Sequence, residues 1–135
     1  MSKIALIVTN GCSPDPRVER HARWLAEAGH DVTIYAWDRA HELDQKTIRN
    51  GYTIFRVRIG SGAASFPITA VRQKQKFLNA LNGQFDLVLY NDSDSIGTKN
   101  IHAACRVLDL HDIAHAWPVM QKTNFLRNFF CFIYI

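Results

Sequence analysis

Three polar stretches of this chain hold most of the side chains that could do chemistry, and each follows an apolar run. The first is Asn10-Gly11-Cys12-Ser13-Pro14-Asp15, with Arg17 just beyond it. It leads from a strand-like run into helix punctuation, with Asp15 where an N-cap belongs and Pro16 at the first helical position. Exposed backbone N–H groups and the positive end of a helix dipole at such a junction favour an anion, phosphate among them. An ordinary turn capped by Asp15 has the same pattern. The chain has no Gly-x-Gly-x-x-Gly and no Walker lysine here, which disfavours a dinucleotide or P-loop site. Arg17 could meet a phosphate or a carboxylate, or lie solvated in the first turn. A cation this close to the positive helix end is unfavourably placed, which hints at a purpose.

The second stretch is Asn91-Asp92-Ser93-Asp94, after the apolar run ending at Tyr90. Asn91, Asp92 and Asp94 could hydrogen-bond ligand hydroxyls. They could equally cap a helix starting near Ser95, and for Asp94 the cap is the favoured reading. The third stretch holds His111 between Asp109 and Asp112. A neighbouring carboxylate fixes an imidazole's tautomer and raises its pKa, as general acid–base or hydrogen-bonding work requires. A structural histidine at a strand end is the alternative. His111 and His115 also form a variant of the zinc-protease helix pattern, with Asp112 in place of its glutamate. That pattern needs a helix carrying both histidines plus a third ligand. The segment follows directly on a strand and meets Pro118 almost at once, so no metal site is expected.

These residues need elements to hold them. Lys3 to Val8 suits a strand buried on both faces of a parallel sheet. Asp15 to Gly29 encloses a helix whose apolar stripe is Val18, Ala22, Leu25 and Ala26. Asp31 to Ala36 is a second strand, which makes a βαβ unit of about 35 residues. Trp37 to Gln45 is polar and loop-like. Tyr52 to Ile59 alternates, with Ile54, Arg56 and Arg58 set against Tyr52, Phe55, Val57 and Ile59. It reads as an outer strand, with Lys46 to Arg49 as a candidate partner. Pro67 opens a helix to about Asn82, with Val71, Phe77, Leu78 and Leu81 inward, ended by Gly83. Phe85 to Tyr90 is another buried strand, Ser95 to Cys105 a short helix, and Arg106 to Leu110 a further strand. Pro118 starts a last helix that runs into an apolar tail.

This order predicts an α/β, Rossmann-like doubly wound parallel sheet in one domain. In such sheets ligands bind beyond the carboxyl ends of the strands, near the switch in strand order. Those ends carry Asn10 to Asp15, Trp37 to Arg39, Gly60 to Gly62, Asn91 to Asp94 and His111 to His115. The convergence of five polar loops on one rim is the main physical reason to expect a site.

Composition narrows the function classes. A chain of 135 residues that is 47% apolar has room for a real core, which argues against disorder. The formal charge of +4 is spread out, so nucleic-acid binding is not expected. Three distant cysteines without a Cys-x-x-Cys point to a reducing, cytoplasmic compartment. The opening apolar run is too short for a signal peptide, and no stretch approaches the roughly 20 residues of a spanning helix. Arg72, Lys74 and Lys76 form either a solvated helix face or a basic face for peripheral contact with the inner side of a membrane.

Asp15-Pro16-Arg17-Val18-Glu19, followed by Arg23-Trp24-Leu25-Ala26-Glu27-Ala28-Gly29-His30-Asp31-Val32, resembles the opening of glycosyltransferase family 4. Trp37-Asp38-Arg39, Asn91-Asp92-Ser93-Asp94 and Asp109-Leu110-His111-Asp112 follow in the order of the same group. The likeness spans roughly residues 3 to 118. It implies the amino-terminal, acceptor-side half of a GT-B fold, in an enzyme that transfers a sugar from a nucleotide-sugar donor with retention. It implies no essential metal and no cofactor besides that donor substrate. It also implies that Gly11 lies in a loop approaching the reaction centre and that His111 contacts the donor sugar or the acceptor region. The region between Asp94 and Asp109 is about four residues shorter than the family's pattern, which puts the placement of His111 in doubt.

The family's carboxyl-terminal half, which holds the donor diphosphate, has no counterpart in this sequence. The expected function is therefore a glycosyltransferase component that is inactive alone and needs a carboxyl-terminal partner domain or chain. The expected substrates are a nucleotide sugar and a glycosyl acceptor, with His111 catalytic and Gly11, Asp15, Arg17, Asn91, Asp92, Asp94 and Asp112 binding substrate. The alternative is a non-catalytic Rossmann-like binding or remnant module. A zinc hydrolase built on His111 and His115 is a distant third. The apolar tail within 119–135, with Phe129, Phe130, Phe132, Ile133, Tyr134 and Ile135, suggests truncation or a missing partner.

Overall fold

The computed structural model describes residues 1–60 and 67–110. Strand β1 (Lys3–Val8) sends Ile4, Leu6 and Val8 to one face and Ala5 and Ile7 to the other. Both sets are buried, as a central parallel strand requires. Helix α1 (Pro16–Glu27) starts at the Asp15 cap and lays Val18 and Ala22 on the first face. It ends in a Schellman turn: His30 N–H donates to Leu25 O at 3.2 Å and Gly29 N–H to Ala26 O at 2.9 Å. Gly29 takes φ +85°, a conformation that other residues adopt only with strain.

Strand β2 (Asp31–Trp37) pairs parallel with β1, and β4 (Tyr52–Val57) pairs parallel with β2. Strand β3 (Lys46–Arg49) pairs antiparallel with β4 at the sheet edge. Helix α2 (Pro67–Ala80) then returns the chain to β5 (Asn82–Asn91), on the other side of β1. A 3-10 turn (Ser93–Ser95) leads to β6 (Asn100–Asp109), parallel to β5. The sheet order is β3-β4-β2-β1-β5-β6. Two apolar layers flank it. One packs under α1 and includes Tyr52 and Ile54; the other packs under α2 around Phe77, Leu78, Leu81, Val88 and Ile101.

The Rossmann-like α/β architecture thus matches the sequence expectation, and four local readings change. Ser95 to Cys105 is not a helix: Gly97 sits at φ +109°, and β6 already begins at Asn100. The ten-residue edge of β5 offers continuous backbone partners there, and that outweighs the local helix preference of Ala103-Ala104. Helix α2 stops at Ala80, so Gly83 lies inside β5. Val71 is exposed rather than inward. In β4, Tyr52 shares its buried face with Ile54 and Arg56, because side chains alternate strictly along a strand. Val107 and Leu108, on opposite faces of β6, are each 41% exposed.

Candidate functional site

The switch in strand order falls between β1 and β5, so the crevice a doubly wound sheet offers lies over their carboxyl ends. The loop leaving β1 is tightly built. Asp15 Oδ1 accepts from Val18 N–H at 3.2 Å, and its Oδ2 accepts from Asn10 Nδ2 at 2.9 Å. Asn10 Oδ1 in turn accepts from Cys12 N–H at 2.7 Å, a local turn that holds Cys12 at φ +46°. Glu19 Oε1 accepts from Asp15 N–H at 3.3 Å. Two carboxylates therefore already sit at this positive helix end, which reduces its attraction for a further anion. Gly11 does make a close approach, though to the protein itself: a Cβ there would lie 2.7 Å from Leu43 Cδ1.

Across the crevice, Asp92 receives both terminal nitrogens of Arg17, Nη2 to Oδ2 at 2.6 Å and Nη1 to Oδ1 at 3.5 Å. Of the partners proposed for Arg17, the structure supplies the carboxylate. Burial works against the charged guanidinium, but the hydrogen bond and charge of Asp92, with Asp15 and Asp109 behind, raise its pKa overall. Asp92 holds φ +66°, ψ 160°, a conformation costing about 1–3 kcal/mol for a residue with a side chain. Asp94 accepts from Thr9 Oγ1. It lies inside the 3-10 turn, so the helix cap expected of it is replaced by a tie between two loops. Asn91 is buried, donating from Nδ2 to Ile7 O at 3.1 Å.

A polar junction completes this side. His21, one turn beyond Arg17 on α1, brings Nδ1 to 3.7 Å from Asp109 Oδ2. Asp109 is the register partner of Asn91. Among the described residues Arg17 Nε, His21 Nδ1 and Asn91 Oδ1 are buried without a hydrogen bond. His111, Asp112 and His115 lie outside the described residues, as does the apolar tail. Among the described residues no group of three His, Cys, Asp or Glu side chains could hold a metal ion.

On the other flank of the β1 loop, a cleft of about 600 Å³ opens between Thr9–Pro14 and the loop from Trp37 to Leu43. The second wall is organised by Asp38, which accepts from Glu42 N–H at 3.4 Å and Leu43 N–H at 3.1 Å. Arg58 Nε lies 3.7 Å from the same carboxylate. Burial opposes the ionised form, but the backbone donors of Leu43, Glu42 and His41 and the charge of Arg58 hold this carboxyl below the usual range. Arg39 covers the Trp37 ring, with Cζ 4.0 Å from its centroid, and donates to Thr9 O at 3.1 Å. Trp37 itself stacks on Phe77 of α2, with centroids 5.5 Å apart and 7° between planes.

The residue the sequence reading undervalued is Arg56. It is 3% exposed, and its guanidinium meets four oxygens of the surrounding loops and β3. The signal was present, since Tyr52, Ile54 and Arg56 share one parity in the strand. Cys12 is buried too, and burial, with Glu19 and Asp15 nearby, pushes its thiol up to about 12.

No family model matches the chain, and no curated protein matches it. Among solved structures, a sucrose-phosphate synthase from Thermosynechococcus elongatus superposes with a TM-score of 0.67 at 15% identity. The match covers 88% of this chain and 35% of that one, so the chain spans about a third of the length of the structure it resembles. At this identity the likeness is one of fold.

Proposed function

We propose that the chain is the amino-terminal, acceptor-side half of a retaining GT-B glycosyltransferase, related to family 4, that acts only with a second, donor-binding half. The observation that supports this most is the match of fold and extent. Most of this chain superposes on about a third of a sucrose-phosphate synthase, with the loops after β1, β2 and β5 at one rim of the sheet. The cleft between Thr9–Pro14 and Trp37–Leu43 is the acceptor side in this reading. Its backbone groups and the side chains of Asn10 and Glu42 would hydrogen-bond acceptor hydroxyls.

The division of labour follows from the electrostatics of the rim. A leaving diphosphate needs positioned cations or N–H donors. Arg17 is engaged by Asp92, and the start of α1 carries Asp15 and Glu19, so in this reading those donors come from a second half. His111, with Asp112, would contact the reacting sugar in this reading. The test is a transfer assay with purified chain, nucleotide sugars, and a supplied carboxyl-terminal GT-B half. Turnover should require both halves and fall at least about a hundredfold with His111→Ala, the range for loss of a general acid–base group. Equal turnover by wild type and His111→Ala would remove His111 from the mechanism.

One observation favours the second reading, a non-catalytic module. Arg17, Asp92, Asp94, Thr9 and Asn91 all have partners within the protein, as a rim kept for stability would. Absence of transfer with every supplied half, together with retained acceptor binding, would select that reading.

A further inference from the structure

We infer that Arg56 is the positioning residue of the cleft, holding the Gly11–Cys12 wall in place through its two carbonyls. The inference rests on reading the cleft as the acceptor side. Arg56 Nε donates to Gly11 O at 2.7 Å and Nη2 to Cys12 O at 3.0 Å, so one edge of the guanidinium spans two successive carbonyls. Nη1 donates to Asp44 O at 2.9 Å and to Thr47 Oγ1 at 2.7 Å, tying the far side of the fork to the opposite loop and β3. Four of the five N–H groups of the fork are thereby used. Two successive carbonyls can face one side chain only if the residue between them turns sharply, and Cys12 does so at φ +46°.

Stability alone is a poor reason for this residue. The row Tyr52, Ile54, Arg56 runs along the apolar face under α1. An aliphatic side chain would continue that row without desolvating a charge. Among the described residues Arg56 makes no ion pair; its acceptors are backbone carbonyls and one hydroxyl. A lysine has three donors on one tetrahedral nitrogen and could not span both carbonyls along one planar edge. The fork therefore encodes a geometry of the loop, and that loop is one wall of the cleft.

The test uses the full chain carrying Cys105→Ser and Cys131→Ser, so that Cys12 alone reports with an aromatic disulfide reagent at neutral pH. Arg56→Lys should raise the Cys12 reaction rate at least about tenfold above a control of equal unfolding midpoint, as loss of one charge-assisted hydrogen bond implies. Ile101→Val or Ile101→Ala, in the apolar layer on the opposite face and outside the lining of the cleft, whichever matches that midpoint, is the control. Thr47→Val, which removes one acceptor and leaves the arginine, should give a smaller rise in the same direction and serves if Arg56→Lys does not fold. Cys12 reactivity no greater than in the matched control, for whichever of the two variants folds, would overturn the inference. In the complemented transferase the same variant should raise the acceptor KM several-fold and leave the donor KM unchanged; an unchanged acceptor KM overturns the assignment to the acceptor side. Absence of wild-type transfer would instead sink the functional reading, and the thiol comparison would still decide whether Arg56 holds the loop.

Discussion

Breaking the Arg17–Asp92 pair should destabilise the protein by an amount that its geometry fixes within narrow limits. The pair joins the first turn of α1 to the end of β5 at 2.6 Å, with side-chain exposures of 21% and 27%. Fully exposed pairs contribute roughly 0.2–1 kcal/mol, and hydrogen bonds to charged groups about 1.5–3 kcal/mol. This partly screened, two-pronged pair belongs between those ranges, at a coupling of about 1.5 kcal/mol. Asp92→Asn keeps a residue that tolerates positive φ while removing the charge, and Arg17→Met keeps most of the stem. A double-mutant cycle by urea unfolding isolates the pair from the other contacts of both residues. For a chain of this length the coupling corresponds to roughly 3–6 °C in Tm. It should shrink at about 1 M salt, where the screening length falls to about 3 Å. A coupling below about 0.3 kcal/mol would show that Arg17 is not committed to Asp92. Arg17 would then be available to a diphosphate, and donor binding would no longer need to belong to another half.

Three further outcomes are expected. Because the folded pKa of Asp38 is lowered, its contribution to stability is present above the unfolded carboxylate value of about 3.9 and is lost as pH falls through the folded value. Asp38→Asn should therefore flatten the acid limb of a stability–pH curve, and an unchanged limb would remove Asp38 as the organiser of the Trp37–Leu43 loop. The Cys12 thiol, pushed up to about 12, should resist alkylation near pH 8.5 while exposed Cys105 is modified, read by mass mapping of the labelled sites. Its protonated form stabilises the fold below the unfolded thiol value, and that contribution fades as pH rises toward 12. Gly11→Val should narrow the cleft and, because the partly exposed Leu43 side chain can swing aside, destabilise the loop by no more than about 1 kcal/mol. Leu43→Ala in the same chain should recover most of the loss in a thermal melt; failure to do so would place the close approach elsewhere.

Much of the fold was legible in the residues. The both-sided burial of β1 follows from an unbroken run of branched side chains, and the limits of α1 follow from Asp15, Pro16 and Gly29. Periodicity and capping act over a few residues, so the amino-acid order by itself was enough for β1, α1 and β2 and for the doubly wound class. It was also enough to place the loops after β1, β2 and β5 at one rim.

What those loops do with one another needed the tertiary structure. Arg17 meets Asp92 across 75 residues and Thr9 meets Asp94 across 85, and no local pattern says whether an arginine will find a ligand or a carboxylate. The segment after Gly97 reads as a helix locally and forms a strand because β5 presents ten residues of unpaired backbone beside it. Arg56 shares its strand parity with Tyr52 and Ile54, but only the packing of the β1 loop against β4 brings the Gly11 and Cys12 carbonyls to it. In each case the energy that decides comes from a partner distant in sequence: short-range order determined the elements, and only their packing decided which polar groups answer one another.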